Sequence, residues 1–262
     1  MILRRIAQHI RQQHWTGVAI ELVILVVGVF LGLQAQDWNQ ARADARLGQD
    51  YVQRLTRDLD ENLAGVRAQV AYYTAVEDSV RKTDELLAAA DPDPRTLIVN
   101  AYRASEIVYI PPVRATWDQI VSSGHLALLP KAAVESGLSQ YYAFDTARSV
   151  YEMGVDSDYR KTVRGIIPLP MQIALRSGCS DVRDRRGNIT GFARNCQFAA
   201  DPAQLARVAA ALRSNLAVVA ELRDQFSYAA NATANMHGVE VNLEDALTAL
   251  GAKPSAAEAG KP

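Results

Sequence analysis

The sequence predicts a mainly α protein: a single N-terminal transmembrane helix, then a helical-bundle domain with long coiled-coil-like helices and a small disulfide-stapled hairpin. Three observations carry this. Residues 17–35, GVAIELVILVVGVFLGLQA, form one long apolar run. Val52, Leu55, Leu59, Leu63, Val66, Val70, Tyr73, Val76 and Val80 recur with eight steps over 28 residues, a mean of 3.5, which is the period of a helical seam. Cys179 and Cys196, the two cysteines of the chain, flank a turn-rich segment, CSDVRDRRGNITGFARNC.

Taken in order, residues 1–16 form a short tail carrying Arg4, Arg5 and Arg11 and no acid. The transmembrane helix covers 17–36. From Val18 to Ala35, at ~1.5 Å per residue, it crosses most of a ~30 Å hydrocarbon layer. Trp15 and Trp38 bracket it 23 residues apart, or ~35 Å along a helix, matching the two interfaces where indole rings settle. A cleaved export signal begins the same way, but this apolar core is longer than a typical signal core. Its best cleavage site, after Ala35, would also place bulky Leu33 where a small residue is wanted. A core helix of a soluble domain would carry a polar stripe, and Leu22 to Leu33 has none. The acid-free basic tail places residues 1–16 in the cytoplasm and 37–251 outside it, in a bacterium the periplasm, with the inner membrane between.

Within the span, Gly28 and Gly32 fall on one helix face and allow close approach of a second helix, while Glu21 is a carboxyl that must stay protonated, reach the interface or meet a polar partner. Glycine is also common in spanning helices, and interface snorkelling accounts for Glu21 equally well.

The 3.5-period helix ends at ADPDP, 90–94. A second helix spans roughly 95–108 and stops at Pro111 and Pro112. A third, VRATWDQIVSSG, closes at Gly124. One long helix is expected from about 131 to 165, broken before PLP at 168–170. The strands belong to the cysteine-flanked segment, where DVRDRRGN at 181–188 reads as a solvated turn. Asp201, Pro202 and Gln204 open a helix running to about 235, with Leu205, Val208, Leu212, Leu216, Val219 and Phe226 as its core stripe. A last short helix runs from near Asn242 to Gly251, and 252–262 is expected to be a disordered tail.

Beyond residue 16 the chain holds 25 basic against 29 acidic side chains, which excludes a nucleic-acid footprint. In an oxidising compartment Cys179 and Cys196 read as a structural disulfide contributing ~3 kcal/mol by loop closure. A metal site lacks ligands, since His125 and His237 are the histidines outside the tail and neither has metal-ligand spacing to a cysteine. No cofactor motif is present: there is no P-loop, GxSxG, HExxH or GxGxxG. Ser122, Ser123 and His125 gather at a helix end and read as capping residues before a nucleophile and base. The aromatic stretch around Tyr109, Pro111, Pro112, Arg114 and Trp117 is a candidate groove, or else an aromatic corner packing two helices together.

The opening MILRRIAQHIRQQHWTGVAIELVILVVGVFLGLQAQDWNQAR resembles the N-terminus of a family of uncharacterised bacterial single-pass inner-membrane proteins, a domain of unknown function. The matching features are the basic start, Glu21 and Leu22, the Gly28–Val29 pair, and Trp38–Asn39 just after the span. TWDQIVSSGHLALLP and LSQYY at 138–142 are similar to that family's second recurring region. The resemblance covers about the first 150 residues and implies architecture and membrane location, without chemistry.

The reading is therefore a membrane-anchored periplasmic interaction or scaffold protein, bound to the lipid bilayer and either self-associating or joined to another inner-membrane protein. No nucleic-acid partner and no enzymatic role are expected. The alternative is a periplasmic ligand-binding sensor module, which would have to signal through a partner because about sixteen residues lie inside.

Overall fold

The computed structural model describes residues 15–255, with side chains from residue 19 onward. The chain divides into two compact units, 1–51 and 52–262. Helix α1, Trp15–Ala88, starts in the first and ends in the second. The tail before Trp15, the Trp15 side chain and residues 256–262 lie outside what is described.

In the first unit, the large apolar side chains from Ile20 to Leu33 are between 48% and 65% exposed all round the helix. This stretch is the one candidate membrane span among the described residues. Trp38 follows it, exposed, with the Arg42 guanidinium 4.2 Å from its ring centroid.

In the second unit, α1 carries the predicted stripe inward: Leu55, Leu59, Leu63, Val66, Tyr73, Val76 and Val80 are buried. Burial spreads beyond the stripe to Asn62, Ala68, Gln69, Tyr72, Ser79 and Thr83, so α1 is enclosed over a broad face. The hydroxyls of Ser79 and Thr83 donate back to the carbonyls of Ala75 and Ser79, which satisfies them without a partner from another element.

Helix α2, Pro94–Ala104, opens on the Asp93 cap, whose carboxylate accepts from the Thr96 N–H. It ends four residues earlier than the sequence suggested. The Gln225 amide donates to the Ala104 carbonyl, and the chain then runs extended through Pro111 and Pro112. Helix α3, Ala115–Ser122, stops at Gly124, whose φ of 71° is the left-handed cap expected there.

The long helix expected over 131–165 is not formed. In its place stand a single turn, α4, Lys131–Ala133; a wide turn, Val134–Leu138; and α5, α6 and α7, Ser139–Ala143, Thr146–Val155 and Asp158–Ile166. Gly137 at φ 87° makes the first break, and two caps make the others. The Asp145 carboxylate accepts from the Arg148 N–H, and the Ser157 hydroxyl from the Arg160 N–H. Each cap satisfies an N–H at the start of the next helix.

Helix α8, Leu169–Gly178, leads to Cys179, bonded to Cys196, which staples an antiparallel hairpin of β1, Asp181–Arg183, and β2, Ile189–Phe192. Helix α9, Pro202–Ser214, starts at Asp201 as predicted. It does not reach 235. Asn215 breaks it and caps α10, Leu216–Ala249, which absorbs the separate short helix expected after Asn242. The break resets the register: Leu216, expected in the core, is 84% exposed, and Val218 is buried instead. Phe226 lies near the surface under the Arg81 guanidinium.

One apolar cluster joins the end of α1 to α2, α7, α8, α9 and the start of α10, with the disulfide packed against it. A second joins Tyr72, Tyr73 and Val76 to Val150 and to Ala229, Ala232 and Met236 of α10. The start of the expected tail is tied down, since the Ser255 carbonyl accepts from Arg67, which also pairs with Glu240 and Glu244.

Candidate functional site

The extended segment 106–114 needs partners for backbone groups that no sheet satisfies, and buried side chains of α1 supply them. Asn62 takes the Val113 N–H at 2.6 Å and donates to its carbonyl at 3.0 Å. The Tyr73 hydroxyl donates to the Val108 carbonyl, and Gln69 accepts from the Ile110 N–H. The segment is thereby fixed along α1, and a cleft of about 80 Å³ opens beside it, lined by Gly65, Pro111, Pro112, Tyr141, Phe144 and Asp145 among others.

The three candidate groove residues do not line that cleft. Trp117 stacks on Tyr142, with ring centroids 5.0 Å apart and planes 13° apart, and Arg114 donates to the Tyr142 carbonyl. These two form the packed aromatic corner that was the other reading of the sequence. Tyr109 stands apart from them and donates to Asp145 at 2.6 Å. Burial, then the Asp145 carboxylate, pushes the Tyr109 hydroxyl up to about 12. Ser122 turns its hydroxyl back to the Gln119 carbonyl, as a helix-end residue does. Gly28 and Gly32 have nothing within 4 Å of where a side chain would start, and Glu21 is exposed on the same helix.

A second cleft, of about 130 Å³, was not foreseen. It lies between α2, the residues just after it, the end of α8 and the hairpin. Tyr72, Tyr102, Arg103, Glu106, Arg176 and Asp181 are among its walls. Arg164 holds Glu106 at 3.0 Å, donates to the Tyr102 and Ser105 hydroxyls, and lies 3.8 Å from the Tyr102 ring centroid. Arg160 donates to the Ser105 carbonyl. Arg103 donates to the Ala193 carbonyl and packs on Phe192. Arg176 stands at the mouth, two-thirds exposed, 3.7 Å from the Glu106 oxygen that Arg164 already holds.

The electrostatics of this second cleft are distinctive. Burial lowers the pKa of Arg103, with the Asp181 charge opposing the shift, and burial together with neighbouring Arg164 lowers that of Arg160. In both, loss of water around the guanidinium is the leading cause. The sequence offered no signal for it, because its charged residues come from 103, 106, 176 and 181, and only the fold gathers them.

Among the described residues no three His, Cys, Asp or Glu side chains converge on a point where a metal could sit. Comparison with family models, with curated proteins and with solved structures finds no match to the chain.

Proposed function

We propose that the chain is a single-pass membrane protein whose helical domain works as an interaction module, held at the bilayer by α1. The observation that carries the reading is the stretch from Leu22 to Leu33, apolar on every face and uncovered. At about 25 cal/mol per Å² of apolar surface, leaving it in water is far costlier than placing it in lipid. The basic tail ahead of the span supports a cytoplasmic N-terminus, and the Cys179–Cys196 bond supports an oxidising compartment, the periplasm, for the domain. The N-terminal resemblance to bacterial single-pass proteins supports the inner membrane. Self-association, or union with another membrane protein, is supported by Gly28 and Gly32 on one open face with Glu21 two turns earlier.

In mild detergent, Gly28→Ile with Gly32→Ile should lower the oligomer mass or release the co-purified partner, and Glu21→Leu should impair the same assembly while leaving membrane insertion intact. A monodisperse monomer with no partner, unchanged by either substitution, would reduce α1 to an anchor alone. The second reading, a ligand-binding module that signals through a partner, is favoured by the arginine-walled cleft.

A further inference from the structure

Four charged side chains line the second cleft, two of each sign: Arg103 and Arg176, Glu106 and Asp181. They balance in number without all satisfying one another. Glu106 is held by Arg164 at 3.0 Å, with Arg176 3.7 Å from the same oxygen. Arg103 and Asp181 attract across the space, yet among the described residues they form no ion pair or hydrogen bond with each other, and the Asp181 carboxylate accepts from no donor. Arg103 gives one nitrogen to the Ala193 carbonyl and keeps further N–H groups of its planar fork.

The Tyr72 hydroxyl is a third group in the same position. Tyr72 is 3% exposed and packs on Phe192, with ring centroids 5.2 Å apart. Its hydroxyl has no hydrogen-bond partner among the described residues, although it lies close enough to Glu106 and Asp181 for their charges to add to burial in raising its pKa. A hydroxyl so buried and unmatched points to something in the cleft that accepts from it.

A guanidinium, a carboxylate and a phenol thus face one space with their hydrogen-bonding capacity open, and that set discriminates by charge. A simple anion on Arg103 meets Asp181 and Glu106, and a simple cation on Asp181 meets Arg103 and Arg176. A molecule with both signs a few ångströms apart satisfies the donors and the acceptor together. Size narrows the class further: an enclosed apolar cavity of about 150 Å³ accepts benzene, so a cleft of about 130 Å³ takes a molecule of that order. Its remaining walls, Val99, Ile107, Leu175 and Ile189, are hydrocarbon.

We propose that this cleft binds a small zwitterion, a free aliphatic α-amino acid, with its carboxylate on Arg103 and the Tyr72 hydroxyl, its ammonium against Asp181 and its side chain against Ile107 and Leu175. The proposal does not depend on how the chain is anchored. It rests on the ligand-binding reading above, but signalling through a partner is not part of its test, so binding succeeds or fails separately from it.

The full chain in mild detergent is titrated calorimetrically with alanine and valine, with the N-acetyl form of each, which keeps the anion alone, and with the amide form of each, which keeps the cation alone. At least one free amino acid should bind saturably in the millimolar range or tighter and raise the melting temperature, and its N-acetyl and amide forms should bind about tenfold more weakly or worse. Asp181→Asn alters an exposed side chain that has no ion pair. The melting temperature of the unliganded variant should hold, its affinity for the amino acid should fall about tenfold, and its affinity for the N-acetyl form should stay the same or rise. Tyr72→Phe keeps the ring against Phe192 and removes a hydroxyl with no bond to lose, so the unliganded melting temperature should hold or rise while amino-acid affinity falls severalfold. Absence of saturable binding by both amino acids, as for a cleft holding water only, would overturn the proposal. So would equal binding of either derivative, equal loss of the free and N-acetyl forms in Asp181→Asn, or unchanged amino-acid affinity in either variant.

Discussion

Gly178 ends α8 against the chain returning from the hairpin, and a methyl group on its Cα would stand 2.1 Å from the Gln197 carbonyl oxygen. The backbone cannot draw back without losing the bond from the Gln197 N–H to the Gly178 carbonyl and pulling on the neighbouring disulfide. Gly178→Ala should therefore destabilise by about 1–3 kcal/mol, read as a lower urea midpoint. Gly165→Ala, a helical position with nothing within 4 Å, should be neutral or stabilise by up to about 1 kcal/mol; equal losses at the two sites would mean that the close approach is not limiting. Asp93 gives a pH dependence. The Thr96 hydroxyl and N–H, at 2.6 and 2.8 Å, hold its carboxyl below the ordinary 3.8. A carboxyl whose folded pKa is depressed contributes stability above its unfolded value and loses it as the pH falls through the folded one. The stability advantage over Asp93→Asn should be full at neutral pH and shrink below about pH 4; an advantage that grows on acidification would reverse this assignment.

At the scale of elements, the segment 106–114 shows how a stretch without regular structure can be as fixed as a helix. Asn62 satisfies both backbone groups of Val113, so Asn62→Leu leaves the N–H without its partner and the C=O with the Tyr142 hydroxyl alone. The expected cost is about 1–3 kcal/mol, with hydrogen exchange in 106–114 rising before that of α1; uniform protection would show that the proline-containing segment holds itself. The sequence made some elements plain and hid others for physical reasons. The α1 stripe, the Asp93 and Asp201 caps, the Gly124 stop and the stapled hairpin depend on local chemistry and were legible. The breaks at Asp145, Ser157 and Asn215 were not, because a capping residue inside a run of good helix formers reads as a solvated helical position until tertiary packing decides its direction. The polar ladder of Asn62, Gln69 and Tyr73 escaped notice because a heptad reading weighs apolar residues and ignores what a buried amide can hold. Arg186, placed in a solvated turn by composition, reaches α1 and pairs with Asp60 at 2.7 Å.

At the scale of the whole molecule, Arg114 and Trp117 of the candidate groove named from the sequence proved to be packing, and the cleft with the richer chemistry was assembled from residues up to 120 positions apart, Tyr72 and Phe192, which no local pattern connects. The proposed membrane sidedness, by contrast, rests on two features far apart in the chain that point the same way. The basic, acid-free tail resists translocation, and the Cys179–Cys196 bond persists in an oxidising compartment. If the tail is cytoplasmic and the domain periplasmic, an alkaline phosphatase fused after Pro262 should be active in cells, because that enzyme matures only outside the cytoplasm. A fluorescent reporter that matures only inside should stay dark at the same position. Alkylation of protein taken directly from membranes without reductant should add no label, and reduction beforehand should add two, one for each cysteine. Phosphatase activity without labelled thiols joins topology to the covalent staple. A bright cytoplasmic reporter together with two labelled thiols would invert the orientation, place the domain in a reducing compartment and remove the disulfide as a source of its stability.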